Sequence, residues 1–155
     1  MKYAIVGTGA RHAMFRDAIT TIFEEKAELV GLCDVNGHRL ALSAQSVPER
    51  GGNGVATYRA EHFGQMIDEQ KPDAVIVTVP DDLHHEYIVA AMKRGCDVMT
   101  EKPMTTDLKR LRAILDAQRE TGRKVSVTFN YRYTPARTQI KDILQSGAIG
   151  EVVAV

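Results

Sequence analysis

The chain has 155 residues, 44% hydrophobic and 26% charged, a balance that suits one globular domain with its own core and at most a small appendage. Its 20 Lys and Arg match its 20 Asp and Glu, so the formal net charge is zero, and neither the basic footprint of a nucleic-acid binder nor a basic amphipathic stretch for a membrane surface is evident. No apolar run is long enough to span a bilayer, and the N-terminus lacks the charged, apolar and cleavage regions of a signal peptide, so a cytoplasmic location is expected by default.

Tyr3-Ala4-Ile5-Val6 is short, apolar and stopped by Gly7, which predicts a buried first strand. Ala10 to Glu25 predicts a helix, with Met14, Ala18, Ile22 and Phe15, Ile19, Phe23 at helical spacing. Leu29 to Cys33 is the second strand, His38 to Val47 a second helix ended by Pro48, and Glu49 to Gly54 a glycine-rich loop. Val55 to Tyr58 predicts a third strand, and Phe63 to Gln70 a helix that stops before Pro72. Ala74 to Val79 is β-branched and apolar on both faces, as a central parallel strand requires.

A helix from His85 to Arg94, closed by Gly95, precedes a fifth strand at Val98 and Met99. Leu108 to Glu120 predicts a helix with Leu108, Leu111 and Leu115 on one face. Val125 to Phe129 is the sixth strand, Ala136 to Gln145 the last helix, and Glu151 to Val155 reads as a further strand. The repeated β-α order predicts an α/β fold, a doubly wound parallel sheet of the Rossmann type. The final strand has no evident partner, so the chain is expected to be a fragment whose next residues would open a second sheet. Cys33 and Cys96 lie in apolar stretches and are expected to be buried thiols in a reducing compartment.

Gly7-Thr8-Gly9 follows the first strand and opens the first helix, the context in which a glycine turn holds a dinucleotide's diphosphate. The first glycine permits the bend, and the second lets the backbone approach the ligand. Gly7, Thr8, Gly9, Ala10, Arg11 and His12 are therefore candidate cofactor residues. His12 stands where a third glycine normally allows close packing of helix on strand, so its ring faces the ligand, faces solvent or holds the helix further out. Arg11 is the nearest cation for a phosphate; for both residues the alternative is a solvated helix start.

Asp34 ends the second strand, where an acid accepts both ribose hydroxyls of the adenosine half and repels a 2′-phosphate. NAD is expected over NADP, although Arg39 nearby could accommodate that phosphate. The alternative for Asp34 is the N-cap of the next helix.

Three more stretches lie where strands four, five and six end: Thr78-Val79-Pro80-Asp81-Asp82-Leu83-His84, Glu101-Lys102-Pro103 and Asn130-Tyr131-Arg132-Tyr133-Thr134-Pro135. With the closing Gly147-Ala148-Ile149-Gly150-Glu151-Val152, they read T-x-P-x-x-x-H, E-K-P, N-x-R-x-x-P and G-x-I-G-E-V. In this order and spacing they resemble the Gfo/Idh/MocA family of sugar and polyol oxidoreductases. His12 departs from that family's glycine-rich turn and leaves the helix packing in question.

The resemblance implies a dinucleotide-binding Rossmann domain over residues 1–129. Residues 130–155 would then be the linker, helix and first strand of a truncated, substrate-bearing second domain. It implies an NAD(P)-dependent enzyme that moves hydride to or from a hydroxyl of a sugar, polyol or cyclitol. Variants of the same fold are an NAD-dependent glycosidase and a non-catalytic dinucleotide-binding transcriptional regulator. The full E-K-P motif favours an enzyme.

Lys102 is implied as the catalytic lysine beside the nicotinamide, where its ammonium would bind the substrate oxygen and, partly desolvated, join a proton relay. A surface lysine paired with Glu101 is the other reading. A cis bond before Pro103 would re-aim Lys102 into the cleft. The resemblance also places Thr78, Val79 and Pro80 along the cofactor and Glu101 near the nicotinamide ribose. His84 either caps the following helix or meets the ligand, and Asn130 and Arg132 would order the domain junction, Arg132 alternatively forming a structural ion pair. His84 and His85 diverge on a helix and show no third ligand, so no metal is expected. The family's main proton acceptor comes from the second domain, so this chain alone is expected to bind NAD weakly and turn over nothing. The full-length protein is expected to be a homo-oligomer.

Overall fold

The computed structural model describes residues 1–47 and 54–154; the expected helix stop at Pro48, the loop beginning at Glu49 and Val155 lie outside the described residues. Among the described residues six strands form: β1 (Lys2–Val6), β2 (Glu28–Asp34), β3 (Ala56–Arg59), β4 (Ala74–Val77), β5 (Asp97–Glu101) and β6 (Val125–Thr128). They pair in parallel in the order β3-β2-β1-β4-β5-β6. The chain thus starts at the centre, builds outward to β3, returns beside β1 as β4, and builds outward the other way. That reversal opens a crevice beyond the carboxyl ends of β1 and β4, the place where open α/β sheets take ligands.

The connections carry the helices α1 (His12–Asp17), α2 (Gly37–Gln45), α3 (Phe63–Gln70), α4 (His84–Lys93), α5 (Leu108–Thr121) and α6 (Pro135–Gln145). Alternation along the central strands divides the core by face. Ala4, Val6, Val75 and Val77 join Met66, Ile88 and Ile114 from α3, α4 and α5. Ile5 and Ile76 join Ile19 and Leu40 on the face of α1 and α2. No helix of the described residues is long and apolar enough to cross a membrane.

Three expectations need correction. The first helix is shorter than predicted and runs on into a π-helical turn, Ala18–Ile22. Its buried residues are His12, Ile19 and Thr20, while Met14, Ile22 and Phe23 are exposed. The extra residue per turn rotates every later side chain away from the phase read from sequence. In α5 the buried positions are Ile114 and Ala117, and Leu108 and Leu115 face outward. The small alanine suits a close approach to the neighbouring α4 that a leucine stripe would obstruct. Residues 151–154 form no strand, and Val153 is 93% exposed. A strand exists through ladder hydrogen bonds, and no described segment lies alongside to supply them. The preceding α6 buries no residue at all, leaving Ile140, Ile143 and Leu144 exposed.

Candidate functional site

The crevice is built around Gly7. Its φ of +91° is open to glycine, and a Cβ there would lie 2.6 Å from the backbone carbonyl of Thr78. The turn after β1 is therefore pressed against the turn after β4. Gly7 N donates to Cys33 O at 2.8 Å, and Thr78 Oγ1 donates to Gly7 O at 2.6 Å. Gly9 is different: a Cβ on it would meet nothing within 4 Å. A negatively charged ligand can come down onto the backbone on that side.

One cavity, of about 310 Å³, holds Gly7, Gly9, Ala10, Asp34, Arg39 and Pro80. A second, of about 530 Å³, holds Glu101, Lys102, Asn130, Asp81, Phe129 and Tyr131. Arg11, Thr78 and Val79 line both, so the two are halves of one crevice. A further cavity of about 590 Å³ opens beside Met1, Lys26 and Gly54, at the opposite end of the sheet, and contains none of the motif residues.

Asp34 anchors the first half and is almost fully buried. Oδ2 accepts from the amide and hydroxyl of Thr8, and Oδ1 accepts from Asn36 N at 2.6 Å and Arg39 Nη2 at 3.0 Å. Burial pushes its pKa up, but the amides of Asn36 and Thr8, with Arg39 and the Thr8 hydroxyl, outweigh burial and hold the carboxyl below its ordinary value. Asp34 does not cap α2: that role belongs to Asn36, whose side chain accepts from the amides of His38 and Arg39. Thr8 is buried beneath the turn as a partner of Asp34 rather than along the cavity wall.

His12 points neither into the crevice nor to solvent. Its Nδ1–H donates to Gly9 O, and its Nε2 accepts from Ser43 Oγ at 2.7 Å. The ring is buried between α1 and α2 and ties the glycine turn to both. A third glycine would let helix and strand close up; here a fully bonded imidazole fills that space.

His84 is also inside, 0% exposed, and does not serve as a side-chain cap of α4. Its ring lies between Val79 O at 3.0 Å and Pro103 O at 2.8 Å, joining the T-x-P and E-K-P segments behind the crevice wall. His85 turns elsewhere, to Asp82 O at 3.2 Å.

In the second half, Glu101 is buried and pairs with Arg11 at 2.5 Å rather than with Lys102. Its other oxygen accepts from the backbone amide of Lys102 at 3.2 Å. The Lys102–Pro103 peptide is cis. Lys102 lines the cavity but is exposed, so the partial desolvation expected of it is not supplied by this chain. Asn130 lies beside it in a turn, Asn130–Tyr133, whereas Arg132 is exposed and lines neither half.

Several contributors were not read from sequence. Val35, Leu83 and Tyr87 give the first half an apolar wall, and Phe129 and Tyr131 do so for the second. Val35 and Phe129 directly follow the strand ends at Asp34 and Thr128, a position that could have flagged them.

The model of the GFO_IDH_MocA family, described as an oxidoreductase family with an NAD-binding Rossmann fold, matches residues 1–129. YteT of Bacillus subtilis (strain 168), which bears an oxidoreductase's name without a stated substrate, is 36% identical over 143 residues, 92% of this chain and 33% of that protein. Glycosyl hydrolase family 109 protein 1 of Akkermansia muciniphila is 30% identical over 155 residues, 99% of this chain and 32% of its own. D-glucoside 3-dehydrogenase of Escherichia coli (strain K12) is 31% identical over 125 residues, 81% of this chain and 34% of its own. The chain thus spans about a third of the length of these relatives. Among solved structures, scyllo-inositol dehydrogenase from Lactobacillus casei with NAD(H) and scyllo-inositol superposes with a TM-score of 0.82 at 24% identity, covering 97% of this chain and 42% of that one. At that identity the likeness is one of fold.

Proposed function

The chain belongs to the Gfo/Idh/MocA oxidoreductase family, whose NAD-binding Rossmann fold it carries over residues 1–129, and on that premise we propose that it is the dinucleotide-binding part of an enzyme moving hydride between NAD and a hydroxyl of a sugar, polyol or cyclitol. The observation that carries this reading is the single crevice running from Asp34, past Gly9 and Arg11, to Lys102. The open side of Gly9 fits a diphosphate, and acids near both ends fit the two riboses that flank one. NAD is favoured over NADP because the Asp34 carboxylate stays charged and would repel a 2′-phosphate.

When bound, the nicotinamide supplies the two-electron acceptor. Lys102 holds the substrate oxygen with its ammonium and stabilises the negative charge that develops there. Val79 and Thr78, with Asn130 and Tyr131, line the part of the crevice that would hold the ring end. Residues 130–155 begin a second, substrate-bearing unit. Support comes from the apolar face that α6 leaves uncovered and from the much greater length of the relatives. That unit would supply the desolvation Lys102 lacks, the substrate pocket and the contacts of a homo-oligomer. Two buried, unpaired thiols suit the reducing cytoplasm.

Titration of the chain with NADH and NADPH, read by nicotinamide fluorescence, tests the cofactor: NADH should bind and NADPH should bind more weakly. In the full-length enzyme, Lys102→Ala should lower kcat by roughly 10²–10³-fold with NADH affinity little changed. A chain that binds neither nucleotide refutes the proposal. A second reading, hydrolysis of a glycoside through transient oxidation by retained NAD, is favoured by the likeness to the family 109 glycosyl hydrolase over nearly the whole chain. Tightly held, non-exchanging NAD without net redox turnover would mark that variant.

A further inference from the structure

We infer that Arg11 exchanges partners when a dinucleotide binds: it is parked on Glu101 in the free chain and moves to the diphosphate, releasing Glu101 to the second ribose. The inference rests on the dinucleotide reading above and goes beyond it by assigning the Arg11–Glu101 pair a place in the binding event.

Arg11 follows β1 and Glu101 ends β5, with β4 between them, so the pair reaches across two strand spacings, roughly 10 Å. It passes over the turn at Thr78 and Val79, where the two halves of the crevice join. A ligand running from Asp34 to Lys102 must cross this line. The order Asp34, Arg11, Glu101 along the crevice is acid, cation, acid. A dinucleotide presents hydroxyls, diphosphate and hydroxyls in the same sequence. The cation stands where the diphosphate belongs, and each acid stands where hydroxyl donors belong.

The two partners differ in freedom. The Glu101 side chain is 6% exposed and fixed by the amide of Lys102, whereas Arg11 is 47% exposed on a flexible stem. Arg11 is therefore the group that moves. A guanidinium takes two phosphate oxygens at once, and a diphosphate offers more charge than one carboxylate. Once Arg11 leaves, a buried carboxylate oxygen has lost its donor, and the ribose hydroxyls replace it. ADP takes Arg11 away from Glu101 and gives nothing back. NADH takes Arg11 and supplies a second ribose.

These differences give opposite signs for one substitution. Glu101→Gln removes the competitor for Arg11, so ADP should bind about two- to fivefold more tightly, the scale of a half-exposed ion pair. The same variant gives the second ribose a neutral amide with one acceptor oxygen in place of a charged two-oxygen carboxylate, so NADH should bind more weakly. AMP, which has no diphosphate, should be unaffected. Arg11→Ala, at an exposed helix start, should weaken ADP without changing AMP, and combining it with Glu101→Gln should abolish the gain for ADP. Calorimetric titration of the chain and its variants, with thermal melts as a check on folding, reads each outcome. If wild type binds neither ADP nor NADH, the dinucleotide reading and the exchange both fall. If wild type binds both, and Glu101→Gln shifts ADP and NADH in the same direction or Arg11→Ala binds ADP normally, the exchange alone is overturned.

Discussion

Gly7 and Gly9 sit two residues apart, yet alanine at each should have a different consequence. At Gly7 an alanine must adopt φ near +91°, which costs an L-residue about 1–2 kcal/mol. Its Cβ would also stand 2.6 Å from Thr78 C and O and 2.7 Å from Val79 N. These are backbone atoms at the end of the central strand β4 and cannot rotate aside, so overpacking adds about 1–3 kcal/mol. The sum, about 2–5 kcal/mol, is a large part of a domain's typical ~5–15 kcal/mol. For this size it corresponds to a Tm lower by about 4–20 °C.

At Gly9 there is no unusual φ and no contact within 4 Å, so alanine should leave Tm near that of wild type, a change within about 0.5 kcal/mol. The methyl group instead occupies space where a diphosphate would reach the backbone, and NADH affinity should fall by about tenfold or more, on the order of 1.4 kcal/mol. Differential scanning fluorimetry and NADH titration separate the two effects. A Gly7→Ala protein melting with wild type would show that the turns are not pressed together. A Gly9→Ala protein binding NADH normally would remove the backbone cradle from the argument.

The Asp34 carboxyl is held below its ordinary value in the fold, so its charged form stabilises the native state fully above the unfolded value of about 3.9 and ceases to do so as pH falls through the lower folded value. The Tm gap between wild type and Asp34→Asn should be constant from pH 7 to 5 and shrink below about pH 4; a gap undiminished at pH 2.5 contradicts this. Burial pushes the Cys33 and Cys96 thiols up to about 12 and about 11, so at pH 8 Ellman's reagent should reach both only in denaturant, and rapid labelling of the folded chain would exclude the packing described. Arg39→Ala should free one Asp34 oxygen for ribose, so NADH should bind as well as or better than before while NADPH loses its remaining cation; NADH binding that weakens instead would make Arg39 a cofactor contact.

The alternation of short apolar runs with helical segments was enough to locate the strands of the sheet: a central parallel strand buried on both faces leaves an unbroken apolar run, while the edge strands β3 and β6 show as short runs that mix partly buried and exposed residues. Ala74–Val77 is the clearest case, buried throughout. Helix faces were less legible. Both the first helix expected over residues 10–25 and α5 carry two apolar stripes, and choosing between them requires knowing what lies opposite. In the first, the π turn that follows α1 changes the period partway, which no fixed helical spacing anticipates. In α5 the choice fell to Ile114 and Ala117 over the longer leucine stripe. The last strand was misread because Val152 and Val153 look like a strand by composition, whereas a strand is a relation between two segments.

At the site, what local rules govern was legible and what distant pairing governs was not. A glycine turn after a strand, an acid at the next strand's end and motifs at the ends of strands four to six are each contained in a few adjacent residues. The partners of those residues lie far off in sequence: Ser43 for His12, Pro103 for His84, Glu101 for Arg11. The last two pairings follow from the strand order, which brings the turns after β1, β4 and β5 side by side, and the first from α2 packing on the same face of the sheet as α1. They also alter the chemistry inferred for single residues. A histidine in the phosphate turn reads as a ligand until Ser43 and Gly9 satisfy both its nitrogens. Asp34 reads as an open acceptor until four donors are found on it. A carboxylate has about four acceptor positions, so a ribose can bind Asp34 only by displacing a donor. Thr8 is buried and Asn36 donates through its backbone, whereas the Arg39 side chain is 49% exposed. The arginines at Asp34 and at Glu101 thus stand in the same relation to their acids: each satisfies a buried charge in the free chain, and each is the donor best able to leave.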